Sequence, residues 1–224
     1  MRILSVETST SMGSVAILED ESLLGEYRVY HEAHLSRVIL KMIDELLKSC
    51  RFSLSDIDRF AVSIGPGSFT GLRVGIATIK GFSTALNKPI TGIPTLEAFA
   101  ACVPFTPYPI CPVILARKNE GYSALYHYDR FSKLVPLKPA RVIPLVNLLK
   151  EINVPTHLVG NLPSELLGKA SNKNILSSPL LKFPTASTVG VLAHQRKDFE
   201  MADKMEMILP AYPSEKVQAH GLRL

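Results

Sequence analysis

Two short segments of the sequence carry residues that could bind a phosphate group. The first is the glycine-rich segment Gly65-Pro-Gly-Ser-Phe-Thr-Gly71, which follows the apolar stretch Arg59–Ile64. Glycines permit backbone angles that other residues avoid, and Ser68 or Thr70 can cap a following helix. A strand–turn–helix of this kind directs free N–H groups and the positive helix end toward an anion. The candidate nucleotide-binding residues of this segment are Gly65, Pro66, Gly67 and Ser68.

The second segment is Thr8-Ser-Thr-Ser-Met-Gly13, a hydroxyl-rich turn that follows Glu7. N–H and hydroxyl groups at the tip of a β-hairpin can hold a phosphate, which makes Thr8, Ser9 and Thr10 candidate nucleotide-binding residues. Ser/Thr-rich hairpin turns are also common, and taken alone this segment favours a purely structural turn. Nor is the glycine-rich segment a P-loop, because no Gly-Lys-Ser/Thr ending supplies a lysine to the phosphates.

Histidine and cysteine side chains give little support for a metal centre or a nucleophile. His31 and His34 could share a helix face, but they precede the apolar helical pattern, where an exposed or capping histidine is ordinary. Cys50, Cys102 and Cys111 form no pair at zinc-knuckle or redox spacing, and a Cys102–Cys111 disulfide is a minor alternative. No cysteine or serine has a neighbouring acid–base set. We therefore predict no metal site and no catalytic residue.

The elements that position the two turns follow a β-β-β-α-β-α order. Strands are predicted over Ile3–Glu7, Ser14–Leu18, Leu23–Tyr30 and Arg59–Ile64, and helices over His34–Cys50 and Thr70–Leu86. The proline-rich stretch 103–109 marks an internal boundary. Beyond it we predict a hairpin (Ile110–Ala116 and Tyr122–Tyr128), a helix near Leu145–Ile152, a strand at His157–Gly160 and a helix near Thr188–Arg196. This repetition predicts a duplicated α/β architecture with subdomains 1–102 and 103–224.

Composition and charge narrow the function classes. Of the 224 residues, 46% are hydrophobic and 20% are charged, which is typical of a globular chain. No apolar run approaches the roughly 20 residues that span a bilayer, and Met1–Val6 is too short for a signal peptide, so we expect a cytoplasmic protein. The net charge of +5 permits contact with nucleic acid, but lysine and arginine are scattered. A solvated basic surface is therefore favoured over an autonomous tRNA-binding module.

The two predicted N-terminal helices also carry a pattern that favours a partner. The helix over His34–Cys50 is apolar around more than one face, which predicts a second surface to bury. Gly71 and Gly75 lie four residues apart on the next helix, where packing within one domain and close approach of a partner are equal alternatives. The breadth of the first helix favours the partner. The predicted partner or dimer interface comprises Leu35, Val38, Ile39, Met42, Ile43, Leu46, Phe69, Gly71, Val74, Gly75 and Thr78.

Three segments together resemble a known family. Ile3-Leu-Ser-Val-Glu-Thr-Ser-Thr10, the stretch from Gly65 through Arg73-Val-Gly75, and Pro89-Ile-Thr-Gly-Ile-Pro-Thr-Leu96 are similar to the TsaB family, also called YeaZ. The resemblance covers the N-terminal half well, whereas Ala116-Arg117 and Pro210-Ala-Tyr212 depart from the family's patterns. It implies the duplicated actin/Hsp70-like (ASKHA) fold of the ribonuclease H-like class.

The resemblance also implies a function in tRNA modification. TsaB proteins pair with a catalytic sibling, TsaD, and with the ATPase TsaE. The complex transfers threonylcarbamoyl to the adenosine beside the anticodon of tRNAs that read codons beginning with A. The resemblance thus implies that this chain is a non-catalytic subunit, which forms a homodimer in isolation and reaches tRNA through the complex. It also implies no cofactor of its own, with ATP or ADP possible at the interface with TsaD. The sibling's His-x-x-x-His metal motif is missing from Ile93–Ala101, which offers only Glu97.

Two enzymatic alternatives compete with the subunit role. An independent ATP-binding enzyme of the actin-like class, such as a small-molecule kinase or an ATPase, needs an acidic residue opposite the phosphate turn. Glu7 could serve, but we find no second phosphate loop with its own carboxylate in the C-terminal half. The other alternative is a glycoprotease-like peptidase. The scaffold interpretation predicts a partner-binding face on the two helices and no metal.

Overall fold

The computed structural model describes residues 1–30, 35–117, 119–163, 174–178, 180–196 and 211–213. The chain divides into two compact units. Unit 1 is Met1–Ala98 with Pro184–Ala211, and unit 2 is Phe99–Phe183 with Tyr212–Leu224. The chain first passes from unit 1 to unit 2 between Ala98 and Phe99, close to the predicted boundary at 102/103. The predicted subdomain 103–224 is not continuous, however, because the helix after residue 183 packs on the sheet of unit 1.

Unit 1 is built on a five-stranded sheet. Its strands are β1 (Arg2–Glu7), β2 (Met12–Glu19), β3 (Ser22–Tyr30), β4 (Arg59–Gly65) and β5 (Ile90–Pro94). They lie in the order β3-β2-β1-β4-β5, with β1, β2 and β3 antiparallel and with β4 and β5 parallel to β1. The parallel pairing brings the carboxyl ends of β1, β4 and β5 to one edge of the sheet.

Helices cover both faces of this sheet. The described α-helices are α1 (Leu35–Cys50), α2 (Phe69–Leu86), α3 (Thr95–Ala100), α4 (Leu145–Glu151) and α5 (Ala186–Gln195). Side chains alternate along a strand, so Val15 and Ile17 of β2 join the core under α1 and α2. Ala16 and Leu18 instead pack against α5 on the opposite face. Within the described ranges no helix is long and apolar enough to cross a membrane.

Unit 2 repeats the topology of unit 1. Its strands are β6 (Ile110–Arg117), β7 (Glu120–Tyr128), β8 (Leu134–Pro144), β9 (Thr156–Val159) and β10 (Ile175–Leu176). They lie in the order β10-β9-β6-β7-β8, with an antiparallel meander β6-β7-β8 and with β9 and β10 parallel to β6. In each sheet the first strand therefore lies at the centre, with the antiparallel strands on one side and the parallel strands on the other. The predicted duplicated, actin-like α/β fold is confirmed.

Strands β5, β8 and β10 were absent from the prediction. Strand β8 contains Pro136, Pro139 and Pro144 and lies at a sheet edge, where proline is tolerated because fewer N–H groups must pair. Strand β5 is short and contains Gly92, which weakens its pattern. Cys50, Cys102 and Cys111 are free thiols, so the disulfide alternative is wrong.

Arg59 fastens α5 to the sheet of unit 1. Its side chain is only 8% exposed. Its Nη1 donates to the carbonyl oxygens of Ala193 at 2.9 Å and of Arg196 at 3.2 Å, at the C-terminal end of α5. The last carbonyls of a helix lack intrahelical donors and carry partial negative charge, so a cation there satisfies and stabilises them.

Replacement of Arg59 should therefore loosen α5. Arg59→Met preserves much of the side-chain length but removes the donors, and we expect the free energy of unfolding to fall by about 2–3 kcal/mol. Urea unfolding followed by circular dichroism measures this change. Arg28→Met, at an exposed position on β3, is the charge-matched control and should change stability by less than about 0.5 kcal/mol. Equal losses in both variants would contradict the anchoring role.

Candidate functional site

The two segments predicted to bind phosphate lie together in unit 1. The turn from Thr8 to Ser11 joins β1 to β2, and the turn from Gly65 to Ser68 joins β4 to α2. Parallel pairing places Val6 opposite Val62, so both turns leave the same edge of the sheet. The backbone N–H of Ser68 donates to the carbonyl oxygen of Ser9 at 2.7 Å. The candidate site is therefore one contiguous cluster.

The glycine-rich turn is shaped by its own hydrogen bonds. Gly65 has φ 109°, which favours glycine, and its peptide bond to Pro66 is cis. Its N–H donates to Thr95 Oγ1 at 3.1 Å. Ser68 is the N-cap of α2, since its Oγ accepts the N–H of Gly71 at 3.2 Å. Of the two predicted caps, Ser68 is confirmed; Thr70 lies inside the helix.

The protein's own Thr8–Ser9 turn packs so closely on the start of α2 that no side chain fits at Gly67, Gly71 or Gly75. A Cβ on Gly67 would lie 2.4 Å from the carbonyl oxygen of Ser9. A Cβ on Gly71 would lie 2.1 Å from the carbonyl oxygen of Thr8, and one on Gly75 would lie 2.2 Å from Thr8 Oγ1. All three distances are far shorter than van der Waals contact. Packing within one domain therefore explains Gly71 and Gly75, and the prediction that they face a partner is corrected.

Two N–H groups of the predicted nucleotide-binding residues are already hydrogen-bonded within unit 1. The N–H of Ser9 donates to Glu7 Oε1 at 2.6 Å, and the N–H of Ser68 is already bonded to Ser9. Thr8, Ser9, Gly65 and Pro66 are buried, Thr10 and Gly67 are half-buried, and Ser68 is exposed. The backbone bond from Ser68 to Ser9 links the two turns, whereas the buried hydroxyls of Thr8 and Ser9 make no hydrogen bond to the described residues. Nucleotide binding at these residues stays a prediction.

The residues considered as metal ligands are placed as follows. His31 and His34 lie outside the described residues. Glu97 forms an ion pair with Arg196, with Oε2 2.6 Å from Nη2. Its neighbours Leu96 and Ala98 are buried in unit 1. In the part of the chain that the structure describes, no three His, Cys, Asp or Glu side chains lie close enough to hold a metal ion.

Glu7 is the one carboxylic acid buried at this cluster. Its side chain has no exposed surface, and Oε2 makes no hydrogen bond to the described residues. Burial raises the pKa of Glu7 above its ordinary value, and the hydrogen bonds with Ser9 oppose this only in part. Folding therefore stabilises the neutral form of Glu7 relative to the unfolded chain.

This burial makes stability depend on pH. Because the folded pKa of Glu7 is raised, its contribution to stability is fully present below the unfolded pKa of about 4.3 and is lost as pH rises through the folded pKa. Glu7→Gln keeps an acceptor for Ser9 and cannot ionise. We expect this variant to have a higher Tm than the wild type at about pH 8, by about 2–4 °C for each kcal/mol relieved.

The Tm advantage of Glu7→Gln should shrink toward about pH 4, where wild-type Glu7 is neutral. Thermal unfolding across this range measures the effect. Glu45→Gln, at an exposed position on α1, removes the same charge and is the control. A pH dependence identical to that of the wild type in Glu7→Gln would show that Glu7 does not titrate in this way.

Most of the predicted interface residues belong to the core of unit 1. Ile39, Met42, Ile43 and Leu46 of α1 and Gly71 and Gly75 of α2 are buried. Val38 and Val74 are half-buried against the same core, Thr78 is half-buried, and the side chain of Leu35 lies outside the described set. Among the members of the set whose side chains are described, Phe69 alone is exposed, at 54%. The apolar stripes of α1 form one broad face that the sheet and α2 cover, which corrects the predicted second apolar surface.

The surfaces of α1 and α2 that face away from the sheet carry a different set of residues, here named the outer helix face. It comprises Arg37, Leu40, Lys41 and Asp44 of α1 and Phe69, Arg73, Ala77, Gly81 and Thr84 of α2. Leu40 is 53% exposed. The Arg73 guanidinium lies 3.8 Å from the centre of the Phe69 ring. Sequence reasoning missed most of this face, although Ala77 and Gly81 repeat the small-residue spacing of Gly71 and Gly75.

Comparisons with known proteins place the chain in a family. A family model described as TsaD, tRNA N6-adenosine threonylcarbamoyltransferase, matches residues 29–149, which is more than half of the chain. The tRNA threonylcarbamoyladenosine biosynthesis protein TsaB of Bacillus subtilis is 29% identical over 72% of this chain and 71% of its own length. The same protein of Escherichia coli is 35% identical over 58% of this chain and 56% of its own length.

A solved structure agrees with this assignment at the level of the fold. YeaZ from Pseudomonas aeruginosa superposes with a TM-score of 0.74 at 23% identity, over 95% of this chain and 99% of that one. Matching segments thus cover both the candidate site and the two-unit fold. The chain belongs to the TsaB/YeaZ family, which is related to TsaD.

Proposed function

We propose that this chain is a non-catalytic subunit in the formation of threonylcarbamoyladenosine on tRNA. It pairs with TsaD and, together with TsaE, supports threonylcarbamoyl transfer to the adenosine beside the anticodon of tRNAs that read codons beginning with A. The relatives' names place them in this biosynthesis. The observation that supports the pairing is the outer helix face, on which Leu40, Phe69, Ala77 and Gly81 are all exposed.

The outer helix face suits docking of a second helical pair. Leu40 and Phe69 are more than half exposed, and an isolated chain would leave both in water. Ala77 and Gly81 are exposed one helical turn apart, and nothing lies within 4 Å of the Cβ position of Gly81. Another helix can approach the α2 backbone closely there. A homodimer of the isolated chain uses the same face, so it competes with TsaD.

The polar residues of the chain support a role without chemistry of its own. Glu7, the residue that an actin-like kinase would use to hold a metal, is buried with a raised pKa, and its Oε1 accepts the N–H of Ser9. Glu97 pairs with Arg196, and Thr95 accepts the N–H of Gly65. These side chains are occupied in holding unit 1 together. ATP or ADP would then bind where TsaD completes a site, and tRNA would be reached through the complex.

The test separates a partner subunit from an independent enzyme. Calorimetry with ATP should give weak binding to the isolated chain, and ATP hydrolysis by the chain alone should match a no-protein blank. Addition of TsaD and TsaE should then produce modification of tRNA that depends on this chain. Tight ATP binding with turnover by the isolated chain would favour the kinase or ATPase alternative instead.

A further inference from the structure

Unit 2 contains a cavity of about 160 Å³ lined by residues of β6, β7, β8 and α4. Part of its wall is apolar and comes from Leu125, Leu148 and Ile152. Leu148 and Ile152 also belong to the core of unit 2, at 5% and 8% exposure. The cavity is thus a formed recess at the edge of a packed core. A cavity of about 150 Å³ with apolar walls is large enough for a benzene ring.

The charged side chains that line the same cavity have a net positive charge. Lys138 and Arg141 of β8 both contact a single oxygen, Oε2 of Glu151 on α4, with Lys138 Nζ at 3.3 Å and Arg141 Nη2 in close hydrogen-bond contact. Two cations therefore share one carboxylate, and the cluster has a net charge of +1. The paired cations lower the pKa of Glu151, so it stays ionised at neutral pH. Such a cluster attracts a second carboxylate, because an arginine fork can bind one in bidentate fashion.

The remaining polar lining is suited to binding rather than to reaction. Cys111 is 2% exposed, and its Sγ lies 3.3 Å from Ser123 Oγ. Burial raises the pKa of the Cys111 thiol to about 11, so it is not a thiolate at neutral pH. Because the thiolate is the nucleophile and metal ligand, Cys111 supplies neither function here. The chemistry of the cavity is apolar contact plus a cationic rim.

We propose that this cavity binds a small organic acid with an apolar body. The apolar body occupies the space beside Leu125, Leu148 and Ile152, and the carboxylate contacts Arg141 and Lys138 in place of Glu151. This site involves unit 2 alone and does not depend on the proposed pairing through the outer helix face. Glu151 acts as an internal competitor, because it holds the two cations that the ligand needs.

Benzoate is a suitable probe because it combines a ring of the right size with one carboxylate. Titration of the full chain, followed by NMR shifts and by calorimetry, should give saturable binding with a Kd on the order of 1 mM, as expected for about nine non-hydrogen atoms. Benzamide keeps the ring but has no negative charge, so it tests the contribution of the carboxylate. Inorganic phosphate is an anion without a ring, so it tests the contribution of the apolar body. Both should bind at least about tenfold more weakly than benzoate. Equal binding of either one, or no saturable benzoate binding, would overturn the proposal.

Variants of two side chains that contact each other should change benzoate affinity in opposite directions. Arg141→Gln should weaken benzoate binding at least about tenfold, since a charge-assisted contact is lost. Glu151→Gln should strengthen it, because the competing carboxylate is removed. Lys138→Gln, at a side chain that is 52% exposed, repeats the test with less risk to folding. Arg130→Gln removes an exposed cation outside the cavity lining and should leave benzoate affinity unchanged. Weaker binding in Glu151→Gln would assign Glu151 a supporting role and refute the competition.

Discussion

Gly71→Ala should destabilise the chain by about 3 kcal/mol or more, whereas Gly81→Ala, in the same helix, should stabilise it by about 0.5–1 kcal/mol. A Cβ at position 71 would lie 2.1 Å from the carbonyl oxygen of Thr8, and the backbone there is fixed by β1. At Gly81 nothing lies within 4 Å, so alanine gains helix propensity at no steric cost. Urea unfolding of both variants measures the two effects.

A second variant identifies the contact responsible. Gly75→Ala would place its Cβ 2.2 Å from Thr8 Oγ1, which is a side-chain atom. Thr8→Ala removes that oxygen and should partly restore the stability of Gly75→Ala. It should not restore Gly71→Ala, whose clash is with the backbone. If the Gly71 and Gly81 variants were equally stable, the packing of the Thr8–Ser9 turn on α2 would be wrong.

Leu40→Asp should weaken pairing with TsaD by about 30-fold or more, with little change in the stability of the chain itself. Leu40 is 53% exposed on the outer helix face, so aspartate there stays hydrated in the free chain but buries a charge in a complex. Val146→Asp is the matched control, because Val146 is 52% exposed on α4 of unit 2. Ala77→Asp should act in the same direction as Leu40→Asp, from α2.

Affinity can be measured by titrating fluorescently labelled TsaD with each variant. Thermal unfolding of the free variants checks that they remain folded, with free energies expected within about 0.5 kcal/mol of the wild type. Equal affinities for Leu40→Asp and Val146→Asp would place the interface elsewhere on the chain. The same variants should also shift the isolated protein from dimer to monomer, because the proposed homodimer uses the outer helix face.

The fold was predictable where local patterns are strong. The short apolar runs of β1 and β2, the helical spacing in α1, and the Ser68 cap all appear at or close to the predicted positions. Strand β8 escaped because its three prolines argue against a strand unless its edge position is known. The packing of α5 on the sheet of unit 1 was not predicted either, because it depends on a long-range contact between Arg59 and the end of that helix.

The site was harder to predict because sequence spacing does not reveal which face of a helix meets the sheet. The four-residue spacing of Gly71 and Gly75 recurs in Ala77 and Gly81, but only the first pair faces Thr8. A small residue on a helix signals close approach without identifying what approaches. Burial of Glu7 was likewise invisible, because an acidic residue at the end of a strand is more often exposed than enclosed.

Reconstituted tRNA modification is the most direct test of the subunit role. TsaD, TsaE and substrate tRNA would be combined with no added chain, with the wild-type chain, with Leu40→Asp or with Val146→Asp, and threonylcarbamoyladenosine would be quantified by mass spectrometry. We expect modification with the wild-type chain and with Val146→Asp. Without the chain and with Leu40→Asp we expect near-background product, and product should recover as the concentration of Leu40→Asp is raised. Full modification without the chain, or transfer by the chain alone, would rule out a role as a required non-catalytic subunit.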